Sequence, residues 1–225
     1  DKPYTGGGGY LPHQHPRAAY AAMITRMDRD IGKMVRLVKD LGLEEDTIFI
    51  FTSDNGAVYP LSGCDPVYFK SNGKLRNYKG TIYEGGIRVP LILRWMGQIP
   101  AGKTSDFVSG FEDWFPTLLD MAGAADKNPK GLDGVSMVPT LLGKPQATRP
   151  FLYREFHGYG GQQFVRVGDW KLLRMNLLAT KKGPVAPTTE LYNLADDPAE
   201  RHNLAAKHPE IVAKLQVIMN EQHTF

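Results

Sequence analysis

At 225 residues the chain is long enough for one fair-sized domain or two small ones, and 42% hydrophobic with 23% charged residues is an ordinary globular composition. A net charge of +3, with no dense lysine–arginine stripe, argues against a nucleic-acid partner, and no run approaches the roughly 20 apolar residues of a membrane-spanning helix. The single cysteine, Cys64, excludes an internal disulfide and any multi-cysteine zinc site.

Residues 1–15 are rich in Gly, Pro and His, with Gly6 to Gly9 in a row, and are expected as loop. A long helix follows, with Pro16 suited to its first turn and Gly42 to the position past its end. Tyr20, Ile24, Met27, Ile31, Met34, Val38 and Leu41 step by four and three, which predicts one apolar stripe with its methionines packed in the core. The helix feeds a strand over 47–52, expected to be parallel, that runs straight into Ser53-Asp-Asn-Gly56. In open α/β folds that carboxyl edge is where ligands sit. Gly56 permits a bend that lets Asp54 and Asn55 converge. A carboxylate and an amide carbonyl side by side suit a hard divalent cation, although Asp-Asn-Gly is equally good turn chemistry.

Residues 57–79 form a long polar connection, and Val89–Trp95 reads as a second buried strand. Between them, Lys79-Gly-Thr-Ile-Tyr-Glu-Gly-Gly86 combines glycines that let backbone approach a ligand with a lysine suited to an oxyanion. Solvent exposure is the ordinary alternative for Lys79. Glu84 and Arg88, four apart, are expected to pair with each other. Phe111 to Ala122 predicts a short helix with Trp114, Phe115, Leu118 and Leu119 on its buried side.

The composition changes after Pro150. Phe151–Phe156, Gln163–Val167 and Trp170–Arg174 read as short strands joined by glycines. Asp197-Pro198 can cap a turn, and His208-Pro209 opens a helix that turns Ile211, Leu215, Ile218 and Met219 inward.

The order of these pieces resembles the sulfatase family of the alkaline-phosphatase-like superfamily. Asp-Asn-Gly at a strand end is followed about 25 positions on by Lys79-Gly-x-x-x-Glu-Gly-Gly-Ile-Arg-Val-Pro90. Ala21–Gly32, Asp113-Trp-Phe-Pro-Thr117, Leu132-Asp-Gly-Val-Ser136, Gly168-Asp-Trp-Lys171, Leu191-Tyr-Asn-Leu194 and Asp197-Pro-Ala-Glu200 complete a pattern similar to bacterial arylsulfatase-like enzymes. The resemblance implies an α/β fold: residues 1–149 as part of an α/β/α sheet domain, and residues 150–225 as a small antiparallel-sheet subdomain with a terminal helix. It also implies metal-dependent hydrolysis of a sulfate ester to alcohol and sulfate. Asp54 and Asn55 match the family's metal ligands, usually for Ca2+ and less often Mg2+, and Lys79 matches its sulfate-contacting catalytic lysine. His157 falls where relatives carry residues near the substrate, with a structural role as the alternative.

The family's nucleophile is a formylglycine made from Cys/Ser-x-Pro-x-Arg. Cys64-Asp65-Pro66 departs from that motif because Tyr68 stands where arginine is required, so formylglycine is expected upstream of this chain and not at Cys64. His13 and His15 do not match the family's strand-end histidine. A chain that starts at Asp1 without a signal peptide is expected to be processed or part of something longer, with the N-terminal half of the same protein as its partner and no activity alone. The expected substrate is a sulfated small molecule or glycan, and the expected location is periplasmic or secreted. Two alternatives are a phosphate or phosphonate ester hydrolase of the same superfamily and a non-catalytic module that binds glycan or a partner.

Overall fold

The computed structural model describes residues 1–60, 63–179, 183 and 185–223. The polar amino-terminal segment is more ordered than its glycines suggest. Tyr4 and His13 exchange backbone hydrogen bonds of 2.8 and 2.9 Å, and Gly7 pairs with Tyr10, so the glycine run forms the tip of a small hairpin. Helix α1 spans Pro16–Asp40, and Asp1 serves as its cap by accepting from the Arg17 and Ala18 amides. Its apolar stripe is present but not buried: Met27 and Met34 are exposed, and no α1 residue is fully covered. The expectation of core methionines is therefore corrected; the stripe is covered in part at its start, where Tyr20 packs on Phe69 with ring centroids 5.0 Å apart.

Strand β1 (Ile48–Thr52) pairs with β2 (Leu91–Trp95) in antiparallel register, Ile48 opposite Trp95 and Thr52 opposite Leu91. This corrects the expected parallel strand. The same pairing brings the end of β1 to the start of β2, and so brings the two sequence motifs together. The strands are also less buried than their apolar runs suggest, with Ile92 61% exposed. The single-turn helix α2 (Glu84–Ile87) precedes β2.

A 3-10 turn at Phe111–Asp113 leads into α3 (Trp114–Met121), followed by α4 (Val138–Leu141). The buried residues here are Asp113, Pro116 and Thr117; of the expected buried side, Trp114 and Leu119 are half-buried, whereas Phe115 and Leu118 are exposed, which corrects half of that expectation. Polar bonding sets it. Asp113 accepts from the Gly110 and Val135 amides at 2.8 Å, and the Thr117 hydroxyl donates to Asp113 O and accepts from the Met137 amide.

The carboxyl-terminal part is a four-stranded antiparallel meander of β3 (Leu152–Phe156), β4 (Gln162–Val167), β5 (Trp170–Met175) and β6 (Thr188–Asn193). The first three match the expected runs within a residue or two. Helix α5 (Pro209–Gln222) packs Leu215 and Met219 against Val165, Leu172 and Leu191, with Ile211 and Ile218 at the edge of that cluster. The alternating partners Phe164, Leu173 and Tyr192 face the other way and pack against Ile82, Tyr83 and Leu194. Period-two alternation thus buries both faces of the sheet, and the second face is closed by the segment just beyond Lys79. No helix among the described residues is long and apolar enough to cross a membrane.

Candidate functional site

The bend at the end of β1 is held from inside and outside. The Ser53 hydroxyl donates to the Asn55 carbonyl at 2.9 Å, which turns the chain at Asp54. The Gly56 amide then donates to the Gly86 carbonyl at 2.9 Å, extending the β1–β2 pairing past the strand ends. A Cβ on Gly56 would fall 2.0 Å from the Gly85 carbonyl oxygen, so only glycine fits. Gly85 and Gly86 are equally constrained: their Cβ atoms would sit about as close to the Asn77 and Thr81 carbonyls, at 2.2 Å each. Three glycines therefore allow backbone to pack on backbone beneath Asp54 and Asn55.

Lys79 enters the same assembly through its main chain, donating its amide to the Ala57 carbonyl at 2.9 Å. Asp54, Asn55 and Lys79 all line one broad open groove. No hydrogen bond or ion pair engages their side chains among the described residues, so all three remain available to a ligand. That availability suits the cation reading. Two oxygen donors meet part of the six to eight that Ca2+ takes, and the described residues contain no cluster of three or more His, Cys, Asp or Glu that would complete a site.

His157 lies on the β3–β4 turn. It is exposed and is not among the residues that line the groove, whereas Tyr159 is. Gln162 docks this turn beside Lys79: its amide nitrogen donates to the Gly80 and Gly158 carbonyls at 3.2 and 3.4 Å, and its oxygen accepts from the Ile82 amide. Cys64 belongs to a different neighbourhood, in which Asp65 pairs with Arg17 at 2.7 Å and the Arg17 guanidinium lies 4.0 Å from the Tyr68 ring centre.

The support beneath the site was not visible in the sequence. Glu84 is buried, and its main partner is not Arg88, 3.8 Å away, but Lys171 of β5 at 2.8 Å. Lys171 is fully buried and also contacts Glu200 at 2.8 Å, while the other Glu200 oxygen accepts from the Glu84 amide at 2.7 Å. Burial pushes the Glu200 carboxyl above its ordinary value, with the Lys171 ammonium opposing the shift. Arg76 adds a second tie. It bonds the Tyr192 hydroxyl at 2.9 Å and the Glu200 carbonyl at 2.8 Å, and lies 3.9 Å from the Tyr83 ring centre. Burial, aided by hydrogen bonds to Glu190, pushes the Tyr83 and Tyr192 hydroxyls upward and keeps them neutral. Glu84, Lys171 and Glu200 each fall in a stretch that carries the family resemblance, and the local signal for their pairing is a lysine inside the apolar strand Trp170-Lys-Leu-Leu173, on the face shared with Leu173.

Comparison with known proteins agrees with the motif order. Residues 2–124 match the sulfatase family, and residues 76–224 match the N-sulphoglucosamine sulphohydrolase C-terminal family. The chain belongs to the sulfatase family. It is 30% identical to N-acetylgalactosamine-6-sulfatase of Canis lupus familiaris over 92% of this chain and 44% of that protein. Among solved structures, Ps i-CgsB in complex with k-i-k-neocarrahexaose superposes with a TM-score of 0.75 at 27% identity, over 93% of this chain and 43% of that one. A phosphonate monoester hydrolase of Agrobacterium radiobacter gives 0.66 at 27% identity, over 92% and 42%. The chain thus spans under half the length of the relatives it matches.

Proposed function

We propose that the protein carrying this chain is a calcium-dependent sulfuric ester hydrolase acting on a sulfated small molecule or glycan. Family membership supports sulfuric ester hydrolysis in general. The observation that supports the finer reading is that Asp54, Asn55 and Lys79 line the same groove with uncommitted side chains.

In this reading Asp54 and Asn55 supply two oxygen ligands to the cation, which when bound offsets negative charge on the sulfuryl oxygens. The Lys79 ammonium meets the same sulfuryl group and stabilises charge as it moves toward the leaving oxygen. His157 is assigned an outlying substrate contact from the turn that borders this groove. The formylglycine nucleophile and the remaining cation ligands come from outside these 225 residues, since the sequence contains no Cys/Ser-x-Pro-x-Arg. An exported location follows from the same resemblance.

The test is turnover of phenyl sulfate by the full-length protein before and after chelation with EGTA, with Ca2+ added back. Loss and recovery are expected, and turnover that survives complete chelation overturns the calcium reading. A phenyl phosphonate ester assayed alongside separates the phosphonate-hydrolase alternative, because the fold is common to both.

A further inference from the structure

The β3–β4 turn holds a residue that the fold does not account for. Tyr159 has φ +53°, a left-handed conformation that strains a bulky side chain. The residue is 78% exposed, and no hydrogen bond engages its hydroxyl among the described residues. Strain and exposure both oppose folding, and burial of this ring does not offset them. Yet the ring is held in place. It lies against Gly80, where a Cβ would fall 2.7 Å from Tyr159 Cε2, and it is tilted 47° to Phe156 with centroids 6.1 Å apart. The turn beneath it is pinned by the buried Gln162 bonds to Gly80 and Ile82. Gly80 is the residue after Lys79, and Tyr159, Lys79 and Asp54 line the same groove.

We propose that Tyr159 is a specificity-determining residue: its ring is a stacking wall for the cyclic group, phenyl or pyranose, that carries the sulfate presented to Lys79. The inference rests on the reading of Lys79 as the sulfate contact. Strained backbone at a ligand-facing position, surrounded by well-fixed structure, is where such strain persists. A flat ring face is what an aromatic wall selects.

The experiment measures binding of phenyl sulfate, a pyranose 6-sulfate and methyl sulfate to the full-length protein by calorimetry. Tyr159→Ala is expected to weaken at least one cyclic ester about fivefold while leaving methyl sulfate unchanged, and Tyr159→Phe is expected to preserve wild-type binding. Which cyclic ester responds identifies the ring. Tyr159→Gly relieves the backbone strain, so it should melt at or above wild type while showing the same binding loss. Equal weakening of cyclic and methyl esters, no weakening of either, or a Tyr159→Gly melting point well below wild type overturns the proposal. If wild type binds all three esters and Tyr159→Ala binds each of them as wild type does, the Tyr159 inference falls while the Lys79 reading stands. If wild type binds none, the Lys79 reading fails and this one with it.

Discussion

The ammonium of Lys171 lies 2.8 Å from a carboxylate oxygen of Glu84, although 87 residues separate them in the chain. Glu84 sits between Lys79 and the paired glycines that pack beneath Asp54 and Asn55. The bond therefore ties the candidate site to the carboxyl-terminal sheet through a buried charge cluster completed by Glu200. Several outcomes follow from this arrangement and from the site above it.

Lys171→Met leaves Glu84 and Glu200 buried together without their shared cation, with only Arg88 3.8 Å from Glu84. Removing one partner of such a cluster costs about 3–5 kcal/mol, so the urea midpoint should fall sharply. A loss under about 1 kcal/mol would show that the cluster adds little.

Glu200 gives stability a defined pH slope. Its folded-state pKa is raised above the ordinary 4.5, so the folded protein holds that proton more tightly than the unfolded chain does. Its contribution is greatest below the unfolded value and declines as pH rises from 4.5 through the folded value. Glu200→Gln cannot titrate. The stability of wild type minus that of Glu200→Gln should therefore fall as pH rises across this window. Denaturation series at acidic and neutral pH check the sign, and a difference that grows with pH contradicts it.

Gly56→Ala places a methyl group against the Gly85 carbonyl oxygen, with backbone rather than a flexible side chain in the way. Overpacking of this kind costs about 1–3 kcal/mol. Because the displaced segment carries Asp54 and Asn55, activity of the full-length protein should fall along with its melting temperature. A variant with wild-type melting and turnover would contradict the packing described.

Lys79→Ala in the full-length protein should lower kcat by about 10²–10³ for a sulfate ester, the usual range for losing one charge-stabilising group. Lys79→Arg should restore little, because a planar guanidinium does not reproduce a compact ammonium. The melting temperature should barely move, since the Lys79 side chain is exposed and bonded to nothing among the described residues. Steady-state kinetics with parallel calorimetry separate these outcomes.

The 225-residue chain alone is expected to leave an aryl sulfate unhydrolysed, because the nucleophile motif is absent from its sequence. Turnover well above background by the isolated chain would refute this.

Helix α1, the first three strands of the meander and helix α5 were legible in the sequence within a residue or two, because periodicity and capping residues are local signals. Strand β6 was recognisable only as a family motif, since Thr188-Thr-Glu-Leu-Tyr-Asn193 mixes polar and apolar residues without the runs that marked the others. Burial was read less well. Ile24, Met27 and Met34 of α1, and Phe115 and Leu118 of α3, carry the right periodicity yet stand exposed, because a periodic pattern shows which face is apolar and not whether anything covers it.

The sequence by itself determined the donor types at the candidate site: a carboxylate and an amide at the end of an apolar run, glycines that admit close backbone, and a lysine suited to an oxyanion. These are properties of residue type and order, and they also carried the family resemblance. Only the tertiary structure decided that β1 pairs antiparallel with β2, that Lys79 lines the same groove as Asp54 and Asn55, and that Glu84 finds in Lys171 a closer partner than the expected Arg88. The reason is physical. An i,i+4 pair is available to any helix in water, but the partner that wins is the one whose burial removes competing solvent, and it lies in a strand far along the chain.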